Sequence, residues 1–347
     1  HEEVYSLYGH TAIRIVDTEG GRDMVVNWGV FDSRKPNFVY HFIMGETDYM
    51  MAMVSTEGFL REYYYYGSEV IQQKLNMTLQ EKRNFLAILD EYSKPENRIY
   101  RYNFYYDNCT TRARDVIVKA MEGKVEYQSW KNKQENETFR DLIHSKNADY
   151  PWCRWGNDFL LGVGSDAKMT HAERQFIPEM LEADFDSAIV ILPNGAEKPL
   201  VESTSILLPA GQSMAEPMVG FPLSPEACSV LFLILVIVFT NCERFLIRKE
   251  LKWFDYIVFN LLGLLGLLLV VMMFSEHPTV KLNFQIFLFC PLWLVLYSPF
   301  VTLRRKRMIA LVIIEIFLLG NFFQSYAEGL NILALSLLIR IVKNPKK

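Results

Sequence analysis

Ile99-Tyr100-Arg101-Tyr102-Asn103-Phe104-Tyr105-Tyr106-Asp107-Asn108-Cys109-Thr110-Thr111-Arg112-Ala113-Arg114-Asp115 is the stretch that decides the fold. Ile99–Tyr105 is aromatic-rich and reads as a strand. Asp107 and Asn108 offer capping side chains, and Thr110–Met121 reads as a helix ending near Gly123. Cys109 therefore falls at or next to a helix N-terminus. There the dipole and the free N–H groups favour a thiolate and can hold an oxyanion.

Working outward, Tyr5–Val16 alternates like a strand, Asp17-Thr18-Glu19-Gly20-Gly21 is a turn, and Met24–Phe31 is a second strand. The resulting hairpin carries Tyr8-Gly9-His10-Thr11 on its first strand and Asn27-Trp28-Gly29 on its second. A strand histidine and a cysteine at a helix start are the minimum parts of a thiol acyl-transfer site. Papain-type sites normally have cysteine first and histidine later. The reversed order here is what a circular permutation of that geometry would give. Asn27 and Asp32 are candidates to orient His10, and Asn108, Thr110 and Arg112 to support Cys109 and an oxyanion. Arg112 and Asp115 suit a structural ion pair on the helix.

Residues 36–68 are dense in Tyr, Phe and Met, suited to a core or to a membrane interface. Thr78–Tyr92 has helical spacing, with Leu79, Phe85, Leu86 and Leu89 on one side and Thr78 and Glu81 as a capping box. Residues 124–150 read as a polar surface excursion. Asp158–Leu181 is helical in part and offers Asp166, His171, Glu173 and Arg174 as further polar candidates. Residues 188–202 read as short strands, and Pro209, Pro217, Pro222 and Pro225 mark a linker.

The chain has 347 residues and a formal charge of −4, with no basic footprint for nucleic acid. A charged, aromatic-rich domain is expected over 1–225 and a membrane domain over 226–347. The sequence starts at His1, consistent with a removed leader. Cys228, Cys242 and Cys290 lie in or beside apolar segments, which leaves Cys109 and Cys153 in the soluble part. No Walker motif, GxSxG or paired Cys/His zinc pattern is present.

Five apolar runs follow: Ala227–Asn241, Tyr256–Phe274, Phe284–Leu303, Met308–Phe323 and Leu330–Val342. They read as an all-α bundle of five transmembrane helices, the first and last short of the ~20 residues a bilayer needs. Arg244, Arg248, Lys249 and Lys252 follow the first run, and Arg304, Arg305, Lys306 and Arg307 the third. Lys343, Lys346 and Lys347 form the tail. Positive charge stays cytoplasmic, which puts residues 1–225 outside, in the periplasm of a bacterium, and the C-terminus inside. The outward loops carry Glu276, His277, Asn283, Asn321, Gln324 and Tyr326, polar groups at membrane depth suited to binding a lipid head group. Tyr8 is a further substrate-binding candidate, and His277 another possible orienter of His10.

The sequence resembles the Lnb-type bacterial lipoprotein N-acyltransferases, whose periplasmic domain precedes transmembrane helices. The residues that carry this are Tyr8 to Arg14, Asn27-Trp28-Gly29-Val30-Phe31-Asp32 and Tyr106 to Asp115. It is also similar to permuted NlpC/P60 thiol enzymes, with an early strand histidine and a later Asn-Cys at a helix start. The resemblance implies an α+β domain of permuted papain or NlpC/P60 type at an inner membrane. It implies acyl transfer from a membrane phospholipid, through a Cys109 thioester with His10 as base, to the α-amine of a diacylated lipoprotein. Neither metal nor cofactor is needed for that chemistry. Competing readings are a membrane-anchored cysteine hydrolase (phospholipase or peptidoglycan amidase) and a non-catalytic binding domain with a Cys109–Cys153 bridge.

Overall fold

The computed structural model describes residues 4–130, 136–215, 220–297 and 301–343. His1, Pro217, Lys346 and Lys347 lie outside the described residues. After a 3-10 turn at Val4–Tyr8 come β1 (Ala12–Asp17), β2 (Arg22–Val30), α1 (Phe38–Met44), β3 (Asp48–Ser55) and α2 (Thr56–Tyr65). Next are β4 (Val70–Leu75), α3 (Leu79–Ser93), β5 (Ile99–Arg101), α4 (Cys109–Ala120) and β6 (Lys124–Tyr127). Four helices follow: α5 (Phe139–Lys146), α6 (Pro151–Leu160), α7 (His171–Arg174) and α8 (Pro178–Asp186). Then come β7 (Ala188–Ile191), β8 (Glu197–Pro199) and β9 (Val201–Leu208). The C-terminal part holds α9 (Pro225–Asn241), α10 (Lys252–Met273), α11 (Leu292–Leu296), α12 (Leu303–Gly320) and α13 (Leu330–Val342).

These elements form two compact units, His1–Glu137 with Lys168–Met218 and Thr138–Ala167 with Val219–Lys347. Residues 138–167 thus belong with the C-terminal helices rather than with the rest of 1–225.

The first unit is mixed α/β. Its main sheet runs β1-β2-β3-β5, antiparallel throughout, with β1 and β2 in register from Ala12 opposite Asn27 to Asp17 opposite Arg22. Val26 and Trp28 of β2 are buried in one core with Ala113, Val116 and Ile117 of α4. Two smaller sheets, β4-β9 and β6-β7-β8, complete the unit.

The first strand is shorter than the alternation suggested. Val4–Tyr8 coils instead, and Gly9 turns the chain at φ 76°, a value that costs glycine little. His10 therefore stands two residues ahead of β1. The Thr78–Glu81 capping box forms as expected, and Phe85 and Leu89 of α3 are buried. Leu79 and Leu86 are exposed, because the buried stripe is narrower than the apolar pattern. Residues 124–150 are no mere surface excursion: they contain β6 and α5, and α5 buries Phe139, Leu142 and Ile143.

The second unit is helical. Pro225–Ile247 and Lys252–Met273 are long and apolar enough to cross a membrane. The third apolar run is not one helix. It divides into a 3-10 turn at Phe284–Phe287 and α11, and Pro291, which has no N–H to donate, stands between them. Asn283, Gln285 and Gln324 are buried and satisfy the irregular backbone nearby. Gln285 Nε2 donates to Asp158 O at 2.7 Å, Asn283 Nδ2 to Phe159 O at 2.9 Å, and Phe284 N–H to Gln324 Oε1 at 2.7 Å.

Two ionic clusters hold the helices of this unit together. Arg340 of α13 is almost completely buried, 2.8 Å from Glu243 and 2.6 Å from Asp255, which also takes Lys343 at 2.7 Å. Arg140 of α5 bonds Asp158 at 2.6 Å and Asp166 at 2.9 Å, and His144 reaches Asp158 at 2.8 Å. Its guanidinium also donates to the Leu161 and Gly162 carbonyls. Only 3% of the Arg140 side chain and 5% of the Asp158 side chain are exposed, so removing one partner strands a buried charge. Arg140→Met is expected to cost about 3–5 kcal/mol. Thermal aggregation of the purified protein in detergent should begin at clearly lower temperature, and an unchanged onset would disprove the role given to this cluster.

Candidate active site

The site is built at the start of α4. Asn108 is the N-cap, and its Oδ1 accepts from the Thr110 and Thr111 N–H groups at 3.0 and 2.9 Å. Its Nδ2 donates to the Phe104 and Phe176 carbonyls at 3.0 and 2.8 Å. Thr111 Oγ1 accepts in turn from the Asn108 N–H, closing a capping box. Asn108 is fully engaged as scaffold. Cys109 is thereby the first residue of the helix, held in the main core of the unit. With Thr110 and Thr111 N–H given to the Asn108 side chain and Arg112 N–H to its carbonyl, the Cys109 N–H is the first-turn donor left for a ligand oxygen.

His10 reaches Cys109 from the turn before β1. Its Nε2 lies 2.6 Å from Asn27 Oδ1, and the Ala12–Asn27 register of the hairpin sets that approach. An amide oxygen can only accept, so Nε2 carries the proton and Nδ1 is left for the thiol. A β-bulge between Asn27 and Val30, with Gly29 at φ 94°, kinks β2 beside the site, and a methyl group on Gly29 would stand 3.8 Å from Cys109 Cβ.

Burial pushes the Cys109 thiol up. The charge of His10 and its hydrogen bond, with help from the Thr11 N–H and the Thr110 hydroxyl, more than offset this and bring the thiol down to about 7. Burial likewise pushes His10 down, while Cys109, Asn27 and the Glu62 carboxylate push it up, and its imidazole ends above its ordinary value. The two groups thus stabilise each other as thiolate and imidazolium. Thr11 Oγ1 donates to Thr110 Oγ1 at 3.1 Å, and Thr110 Oγ1 lies 3.8 Å from Cys109 Sγ, a short relay ending on sulfur.

Arg112 supports the turn rather than the thiol. It grips Asp107 through two bonds of 2.6 and 2.7 Å and lies over the Tyr100 ring at 3.6 Å. Asp115 pairs instead with Arg114 at 2.7 Å, so the expected Arg112–Asp115 pair does not form. Asp32 lies beyond the bulge, half-buried, with Arg34 at 3.0 Å. It makes no contact with His10 that would rival Asn27's. Tyr8 packs its ring edge on Phe104 at 5.2 Å.

Most of the remaining candidates belong to the helical unit; His171, Glu173 and Arg174 belong to the first. Asn283 and Gln324 hydrogen-bond each other at 2.9 Å and serve backbone groups, while Tyr326 donates to Phe317 O at 2.7 Å. Asn321 pairs with Asn331. Glu276 is exposed and His277 half-buried in the loop after α10. Asp166 holds Arg140, Glu173 caps α7, Arg174 binds Glu137 at 2.9 Å, and His171 is buried. Cys109 and Cys153 are both free thiols, and the bridge that a purely structural reading requires is absent.

Sequence reasoning missed Thr11 and the tyrosine wall. Tyr49 and Tyr102 stack at 4.2 Å, and burial together with the negative charge of Cys109 pushes the phenols of Tyr100 and Tyr102 up, so both stay protonated. The period-two spacing of Tyr100 and Tyr102 on β5 and its extension was the available signal.

The Lnb N-terminal periplasmic domain matches residues 1–145, and the Lnb transmembrane domain matches residues 216–346. The chain belongs to the Lnb family. No curated protein and no solved structure matches it. With its apolar helices, it is a membrane protein carrying a periplasmic N-terminal domain of the Lnb type.

The coupling of Cys109 to His10 has a measurable sign. A thiol held down by a cationic neighbour gains thiolate as pH rises through about 7. Iodoacetamide labelling of the Cys109 peptide should therefore accelerate through that pH. In His10→Ala the burial stays and the cation goes, so the midpoint should rise above the ordinary thiol value of about 8.5. Cys153, pushed up by burial, is the internal reference. The same midpoint in both proteins would disprove the pairing.

Proposed function

We propose that this chain is an apolipoprotein N-acyltransferase, taking an acyl chain from a membrane phospholipid and placing it on the α-amine of an S-diacylglyceryl-cysteine lipoprotein. The observation that carries the reading is the Cys109–His10–Asn27 arrangement in a domain that family and composition tie to a membrane. The order of histidine and cysteine supports a permuted papain-like ancestry for that domain.

His10 Nδ1 takes the thiol proton, and Cys109 Sγ attacks the ester carbonyl carbon of the phospholipid. The Cys109 N–H at the helix start faces the developing oxyanion. Collapse breaks the carbon–oxygen bond, His10 returns the proton to the departing lysophospholipid hydroxyl, and a Cys109 thioester remains. The lipoprotein amine then attacks the thioester, gives one proton to His10, and forms an amide. The carbon–sulfur bond breaks, and His10 restores the proton to Cys109. The protonated tyrosine wall beside the thiol suits exclusion of water, which would otherwise turn the enzyme into a phospholipase.

For the membrane domain we propose five crossings, with α9, the Phe284–Leu296 segment and α13 exiting into the cytoplasm of the inner membrane. The basic residues at 244–252 and 304–307 and Lys343 support that sense, because positive charge is retained on the cytoplasmic side.

Mass spectrometry of the full-length protein after incubation with phospholipid tests the chemistry. Wild type should gain an acyl mass on Cys109 that hydroxylamine removes, and a diacylglyceryl-cysteine peptide should discharge it and become N-acylated. Cys109→Ser should form no thioester, and His10→Ala should acylate at least about a hundredfold more slowly. Discharge by water alone would replace the transferase by a hydrolase, and the absence of an adduct on wild type would remove the catalytic reading.

A further inference from the structure

The helix α1 carries the sequence Phe38-Val39-Tyr40-His41-Phe42-Ile43-Met44 and has no buried residue. Val39 is 69% exposed, Tyr40 57% and Phe42 50%. Soluble surface helices put polar groups outward, whereas this one puts an apolar face there. We propose that α1 is a lipid-contacting helix that lies in the outer surface of the bilayer and brings phospholipid to Cys109.

Three observations commit the face to lipid. Lys35 and Arg34, both exposed, stand three and four residues before the helix, Arg34 beside Asp32, and Lys35 above all matches the phosphates of a head-group layer. The helix is only seven residues long and mixes Tyr and His with Phe, Ile and Met, a composition that suits the interface and not a crossing. The same chain belongs to a membrane-anchored family, so a bilayer is always available to this domain, while a protein partner would have to be found. A line of rings then leads inward from α1. Phe38 stacks on Phe31 at 5.6 Å, Phe31 meets Tyr49 at 5.0 Å, and Tyr49 stacks on Tyr102, whose phenol feels the charge of Cys109. An acyl chain lifted from the bilayer along these rings stays out of water until its ester reaches the thiol.

The guiding role rests on the acyl-transfer reading; the lipid contact itself does not, and the experiment separates the two. Full-length protein is reconstituted in phosphatidylethanolamine and phosphatidylglycerol vesicles with a benzoylphenylalanine photocrosslinker replacing Tyr40, or replacing Leu86 as an equally exposed control. A phospholipid adduct at position 40 and none at 86 is expected. Crosslinks from position 40 to a second copy, to a lipoprotein peptide or to nothing would overturn the proposal. In a second arm, Val39→Asp with Phe42→Asp should slow Cys109 acylation from bilayer phospholipid about tenfold while leaving a dissolved short-chain phospholipid within about twofold. Equal slowing with both donors would overturn the guiding role. If wild type acylates with neither donor, the acyl-transfer reading fails, and the crosslink still decides what α1 touches.

Discussion

One amide side chain organises the soluble unit. Asn108 gives its oxygen to two helix-start N–H groups and its nitrogen to the carbonyls of Phe104 and Phe176. The first pair of bonds starts α4 and stops the chain from running straight on from β5. Of the second pair, the bond to Phe104 closes the turn before the helix, and the bond to Phe176 ties that start to the loop before α8, 68 residues on. Cys109 sits at the helix start because its neighbour is structurally saturated. The donors that Asn108 consumes are withdrawn from the ligand, and the one left over is the cysteine's own.

That junction was legible in the sequence because its cause is local. Asp-Asn before a helical pattern means a cap whatever lies elsewhere, and the cap fixes the cysteine. Asn27 was legible as a candidate because a hairpin turn at 17–21 sets which residues face each other. Choosing between Asn27 and Asp32 required the bulge at Gly29, which kinks the strand before Asp32. That bulge depends on how β2 meets β3, a contact that only the folded sheet supplies. The same holds for Thr11: its N–H reaches sulfur only once the turn at Gly9 has shortened the first strand.

The helical unit shows the opposite balance. Its two long apolar helices are plain from composition alone. Its polar residues misled, because composition cannot tell a buried bond from an exposed group. Asn283, Gln324 and Tyr326 looked like ligands for a head group, and they serve backbone carbonyls and amides where helices break or turn. Residues 124–150 looked like a surface excursion because they are polar, Arg140 among them, while Asp158 and Asp166 fell in the next, partly helical segment. The three charges pair with one another across 18 to 26 residues of chain, so residues 138–167 fold inward around them.

The character of the site follows from its third member being neutral. A carboxylate on Nε2 would favour the imidazolium strongly and drive the thiol far down. Asn27 fixes the ring without adding charge, and burial of the thiol opposes the remaining stabilisation, so the thiol settles at about 7. A very acidic thiol would be ionised but a weaker nucleophile, since nucleophilicity falls with pKa and peaks when the pKa is close to the ambient pH. A thiol left at its ordinary value would be mostly protonated. The proposed thioester, formed from an ester and discharged by an amine, would require sulfur to be both a competent attacker and a good leaving group. A buried cysteine balanced near 7 by a histidine held on a neutral amide meets both conditions at once.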